Sequence, residues 1–235
     1  MDKPRVIIAV PTYGCSLGLS QPRLAQMLLN TQHNVYISGV MSCELGFVHM
    51  TRNALVKAAR RCPEPTTPTH IFFIDQDTCV YPGTIERLLE ARKRVIGAVV
   101  YSRTPPYKPV VYHFSPKFTH MDSDFPGPET EPFQVKDGGI GMAAVLIEMN
   151  VFDELEEKYG DQMWFQSPCT VDMNRPIDQR EQMMGEDVFF CNRLNETGIE
   201  IWVDPGDLTG HFGWIEITGE LFRENRSARQ AAPSA

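Results

Sequence analysis

Two apolar periods take turns along this chain. Arg5 to Val10 (RVIIAV) is an unbroken β-rich run closed by Pro11, which predicts a first strand. Pro22 opens a helix behind Ser20 as cap, with Leu24, Met27, Leu28 and Thr31 at helical spacing. Asn34 to Met41 predicts a second strand. Val48 to Arg61 predicts a helix with Leu55 and Ala58 or Ala59 inward, stopped by Pro63, Pro65 and Pro68. His70 to Ile74 predicts a third strand, Gly83 to Lys93 a helix with Ile85, Leu88 and Leu89 inward, and Val95 to Tyr101 a fourth strand. Strands and helices in alternation predict an α/β fold, a mostly parallel central sheet with helices on both faces.

The rhythm breaks at Ser102. Seven prolines fall between residues 102 and 135, around one strand-like patch from Val110 to Phe114. A stretch this long is either a functional excursion over the active face or an inert insertion, and both readings stand. Order returns with GGIGMAAVLIE: Gly138, Gly139 and Gly141 read as a flexible approach to a strand from Ala144 to Glu148. Helices are predicted from Val151 to Lys158 and from Glu186 to Glu196, the second stopped by Gly198, and a short strand from Ile199 to Val203. Polar and aromatic residues from Thr209 to Trp214 follow. Residues 1–222 read as one domain and 223–235 (RENRSARQAAPSA) as a flexible tail.

Composition narrows the classes. The chain has 235 residues and is 42% hydrophobic, enough for one substantial α/β core. No run approaches the roughly 20 apolar residues of a membrane span, and MDKPRVIIAV lacks a signal-peptide layout. The six cysteines are scattered without a CxxC pair, so reduced thiols in a cytoplasmic protein are expected. A net charge of −8 weighs against a broad nucleic-acid-binding face, and the cluster Arg87, Arg92, Lys93, Arg94 reads first as a solvated helix flank.

Candidate chemistry begins at HIFFIDQD. A buried strand ends in Asp75 and Asp77, which in extended backbone point the same way while Gln76 points the other. Two such carboxylates repel unless a proton or cation lies between them, and hard oxygen ligands suit Mg²⁺ or Mn²⁺. The competing reading makes Asp77 or Thr78 a helix cap, which Pro82-Gly83 weakens by separating them from that helix. His211, between Gly210 and Gly213 in an expected loop after a strand, is the natural third ligand and tilts the choice towards Mn²⁺. Glu186 and Asp187 open a helix. They either complement its macrodipole or place Asp187 as a general base towards a substrate hydroxyl.

PTYG after the first strand, TRNALV at 51–56, FFIDQD, GGIGMAAVLI, GEDVFFCNRLNETGIEIWVDP and the later Gly-His occur in one order. That set, spanning Arg5 to Trp214, resembles the nucleotide-sugar-dependent glycosyltransferases of the GT-A fold, family-2-like members in particular. The resemblance implies that Pro11, Thr12 and Tyr13 hold the nucleotide, and that Arg52 and Asn53 lie near the diphosphate. It implies that Asp75 and Asp77 form a DxD motif with Gln76 on the donor side, and that Gly139 and Gly141 border donor and acceptor. Asp187 then matches the base of inverting members, with Glu186 at the acceptor and His211 a metal ligand. The implied partners are a UDP- or GDP-sugar donor and an acceptor hydroxyl on a saccharide or on a modified base of viral DNA. Lack of a membrane span sets the chain apart from membrane-bound polysaccharide synthases.

Three other readings compete. FIDQDT is similar to the signature of haloacid-dehalogenase-type phosphatases, in which Asp75 would be the nucleophile, but Thr78 comes one residue early and no lysine motif follows. A nucleotidyltransferase lacks its glycine-rich basic loop in PTYGCSLGL. A non-catalytic nucleotide-sugar-binding module remains, which the joint presence of DxD and Glu186-Asp187 disfavours.

Overall fold

The computed structural model describes residues 3–12, 20–31, 35–114, 118–121, 124–171, 181–213 and 216–231. The first half follows the predicted alternation: β1 (Arg5–Pro11), α1 (Ser20–Thr31), β2 (Tyr36–Cys43), α2 (Val48–Ala59) and β3 (His70–Ile74). A short β4 (Thr78–Val80), α3 (Thr84–Glu90) and β5 (Val95–Ala98) come next. The proline-rich stretch holds β6 (Val111–His113), β7 (Thr119–His120) and β8 (Phe133–Gln134). Beyond it lie β9 (Gly138–Ile140), β10 (Ala144–Glu148), α4 (Met149–Tyr159), β11 (Cys169–Val171) and β12 (Glu181–Met183). The remaining elements are α5 (Glu186–Thr197), β13 (Trp202–Asp204), β14 (Thr209–Phe212), β15 (Glu216–Ile217) and α6 (Gly219–Ala231).

Seven strands form the central sheet in the order β2-β1-β3-β10-β5-β13-β8. β2, β1, β3, β5 and β13 share one direction, and β10 and β8 oppose it. The sheet is therefore mixed with a parallel majority, in agreement with the GT-A-like α/β fold that the resemblance implies. Its inner strands are covered on both faces, which explains their near-continuous apolar runs. Ile71, Phe73, Val145 and Ile147 meet Leu55 and Val56 of α2, Phe152 of α4 and Phe190 of α5 on one side. Phe72, Ile74, Ala144 and Leu146 meet Met27 of α1 and Ile85 and Leu88 of α3 on the other.

Several expectations change. The glycines at 138 and 139 are not a flexible approach but part of β9, which pairs antiparallel with β6. A Cβ on Gly139 would lie 2.6 Å from Cβ of Cys191, so the close passage of β9 over α5 is what demands glycine there. His211 lies within β14, opposite Thr78 of β4, rather than in a loop. The segment from Arg223, expected as a flexible tail, continues α6 to Ala231. Phe222 is buried and stacks on Tyr101 at 5.0 Å, and Arg223 forms a forked pair with Asp207 at 2.9 and 2.7 Å. Residues 232–235, with Tyr13 and Trp214, lie outside the described residues.

Candidate active site

The parallel strands deliver their carboxyl ends to one rim, the usual place for a ligand in an open α/β sheet. Pro11 ends β1 there, and Asp75 to Asp77 turn from β3 into β4 with the Thr78 amide donating to the Asp75 carbonyl at 2.9 Å. A cavity of about 280 Å³ at this rim is lined by Pro11, Thr12, Val48, Asp75, Gln76, Asp77 and Arg103. Thr12 is fixed to β2, its amide and hydroxyl each donating to the Cys43 carbonyl at 3.0 Å. The first turn of α2 reaches the cavity through Val48 and carries neither an acidic residue nor a side-chain cap, which leaves the positive end of its dipole to an anion.

Arg52 organises the floor. Only 2% exposed, it donates to Asp75 Oδ1 at 2.7 Å, to the Met142 carbonyl at 3.3 Å and to Glu186 Oε1 at 3.4 Å. Burial alone would lower its pKa, but the carboxylates of Asp75 and Glu186 outweigh it and the guanidinium is held more firmly charged than usual. One cation thus joins the end of β3 to the start of α5. Asn53, the next residue, turns into the core instead, where its amide exchanges hydrogen bonds with the backbone of Phe165 at 2.7 and 3.0 Å. Neither residue is a surface group of α2.

Asp77 has different partners. Its Oδ2 accepts from Arg103 at 2.8 Å, and its Oδ1 lies 3.5 Å from Nε2 of His211. Burial pushes the Asp77 pKa up, but His211 and Arg103 outweigh that and hold the carboxyl below its ordinary range. Nδ1 of His211 donates to the Tyr101 carbonyl at 2.7 Å, since a carbonyl can only accept, so Nε2 is the nitrogen presented to Asp77. That backbone anchor is the support a metal-ligating histidine typically has. Asp77 and His211 therefore fit a divalent cation in donor chemistry and support. Asp75, as placed, does not join them because Arg52 holds it. No three His, Cys, Asp or Glu side chains converge as a metal group among the described residues.

Asp187 sits in the first turn of α5, its Oδ1 accepting from the Val188 amide at 2.7 Å. Burial, reinforced by neighbouring Glu186, pushes its pKa to about 6. A Cβ on Gly141 would stand 3.8 Å from Asp187 Oδ2 and 2.6 Å from Val110, so Gly141 keeps the approach to this carboxylate narrow but open. The site thus gathers Pro11, Thr12, Arg52, Asp75, Gln76, Asp77, Gly141, Glu186, Asp187 and His211, while Gly139 and Asn53 serve packing. Arg103 was not foreseen. It comes from the proline-rich stretch, and one arginine in a loop gives no periodic signal.

No protein-family model matches the chain, and no curated protein sequence does. Among solved structures it is similar to A197 from STIV, at 17% identity and a TM-score of 0.50 over 89% of this chain and 86% of that one. It is also similar to residues 1–349 of S. aureus TarS, at 11% identity and a TM-score of 0.44 over 98% of this chain and 67% of that one. The likeness to A197 shows a shared fold and carries nothing about activity; that to TarS is too low to carry an argument. Among the described residues no helix is long and apolar enough to cross a membrane.

Proposed function

We propose that this protein is a glycosyltransferase that moves a sugar from a nucleoside-diphosphate sugar to an acceptor hydroxyl. The observation that carries this reading is the placement of Asp187 in the first turn of α5, tied to the Asp75–Asp77 turn through Arg52, which pairs with neighbouring Glu186 at 3.4 Å and with Asp75 at 2.7 Å; there, burial pushes the Asp187 pKa to about 6. A base in that range is ionised at neutral pH yet basic enough to draw a proton from a hydroxyl in the transition state. The bond from the anomeric carbon to the diphosphate oxygen breaks and its electron pair leaves with the nucleoside diphosphate. The acceptor oxygen bonds to the anomeric carbon, and its proton passes to Asp187. Attack opposite the leaving group inverts the anomeric centre.

The first turn of α2, together with Pro11 and Thr12, supports a diphosphate and its nucleoside in the cavity. Asp77 and His211 would hold Mn²⁺ or Mg²⁺, which supplies Lewis-acid charge to the departing diphosphate. Arg103 pairs with Asp77 at 2.8 Å, and a cation on Asp77 would take the place of that guanidinium.

The test uses Asp187→Asn with UDP- and GDP-sugars. Sugar transfer should fall at least about a hundredfold while calorimetry shows nucleoside diphosphate still binding, and that binding should weaken on chelation of Mn²⁺. A phosphatase would instead form a phospho-aspartate at Asp75 and be indifferent to Asp187. Absence of nucleoside diphosphate binding with either cation would remove the proposal.

A further inference from the structure

The hairpin wall beside Asp187 carries an aromatic cluster with no part in donor binding. Tyr112 of β6 stands opposite Gly139 of β9 and opposite His120 of β7. Phe114 and Phe118 lie two residues from Tyr112 and His120, so strand periodicity sends all four rings to one face. That face looks towards α5, because the missing side chain of Gly139 points at both Cys191 of α5 and Phe114. Tyr112 stacks on Phe118 at 4.8 Å and 25°, Phe118 on Phe114 at 5.9 Å and 16°, and His120 leans on Tyr112 at 4.8 Å. Phe118 is 54% exposed despite this stacking, an unusual cost for a large aromatic ring that merely packs. The Tyr112 hydroxyl has no hydrogen-bond partner among the described residues, and Asp187 is close enough to help burial raise its pKa.

We propose that this shelf is the acceptor subsite, in which Phe118 stacks on the flat C–H face of a neutral sugar ring and the Tyr112 hydroxyl hydrogen-bonds one of its hydroxyls. The inference rests on the transferase reading and names the acceptor class. Charge decides between a saccharide and a nucleic acid. Asp187 and Glu186 lie close enough to Tyr112 to help burial raise its pKa, and the chain carries −8 overall, so a phosphate backbone meets repulsion where a neutral glycan does not.

The test measures saturation-transfer NMR binding of maltopentaose, cellopentaose and chitopentaose, and of a ten-residue oligothymidylate, to the full chain. At least one pentasaccharide should bind through its ring C–H protons. Phe118→Ala should weaken it roughly tenfold, as expected for one lost apolar stacking face, and Tyr112→Phe should weaken it without disturbing the hairpin. Nucleoside diphosphate binding and circular dichroism report folding of both variants. Equal affinity in wild type and Phe118→Ala, no pentasaccharide binding, or binding of the oligothymidylate through Phe118 each overturns the proposal. Nucleoside diphosphate binding by wild type is scored separately: its presence without Phe118-dependent glycan binding fails the subsite alone, and its absence with either cation fails the transferase reading.

Discussion

Asp187 is expensive to keep ionised, and that has a direction in pH. A carboxyl at about 6 when folded, against an ordinary 3.8, holds its proton more tightly in the native state. Its contribution to stability is full below about pH 4 and is lost as pH rises through 6, by roughly 3 kcal/mol at most. Asp187→Asn should therefore be more stable than wild type in urea at pH 7.5, by about 2 kcal/mol, and the difference should vanish near pH 4. Sugar transfer should rise with pH through about 6 and level off above it, since the base acts deprotonated. Arg52 has the opposite role. Arg52→Met leaves the carboxylates of Asp75 and Glu186 without their shared cation, at a cost of about 3–5 kcal/mol in a denaturant melt. Arg52→Lys should recover little, because one ammonium cannot reproduce the forked geometry.

At the scale of elements, β9 over α5 is the tightest junction near the site. Gly139→Ala would drive a methyl against Cys191, whose thiol also touches the Ile140 amide at 3.4 Å, and should cost on the order of 1–3 kcal/mol by chemical denaturation. The elements legible in the sequence were those whose own residues make their case. β3 and β10 match the predicted runs because each is buried on both faces, and α5 is marked by its acidic first turn and Gly198. β4 and β14 are three and four residues long and exist because they pair with each other across some 130 positions, which no local period records. α6 was hidden for a different reason. Its sequence is mostly charged and polar, and what secures it is Phe222 in the main core and the non-local Arg223–Asp207 pair. The site was legible to the extent that DQD and Glu186-Asp187 stand at element boundaries. Arg52 on a third element entered through the resemblance, as a neighbour of the diphosphate, and its bridge between Asp75 and Glu186 leaves no local signal in the sequence.

Over the whole molecule, two apolar layers hold a seven-stranded sheet whose carboxyl ends gather charge from widely separated parts of the chain. The forked pair of Arg87 with fully buried Asp204, at 2.6 and 2.8 Å, fastens α3 to the end of β13. α6 belongs to this larger scale as well. Phe222 rests on the ring of Tyr101, the carbonyl of Tyr101 fixes the imidazole of His211, and that imidazole faces Asp77. The last helix among the described residues thus braces an imidazole it never touches. A polypeptide stopped at Thr218 should melt at lower temperature and bind manganese and nucleotide more weakly by calorimetry, and an affinity handle is better placed ahead of β1 than fused close behind that brace.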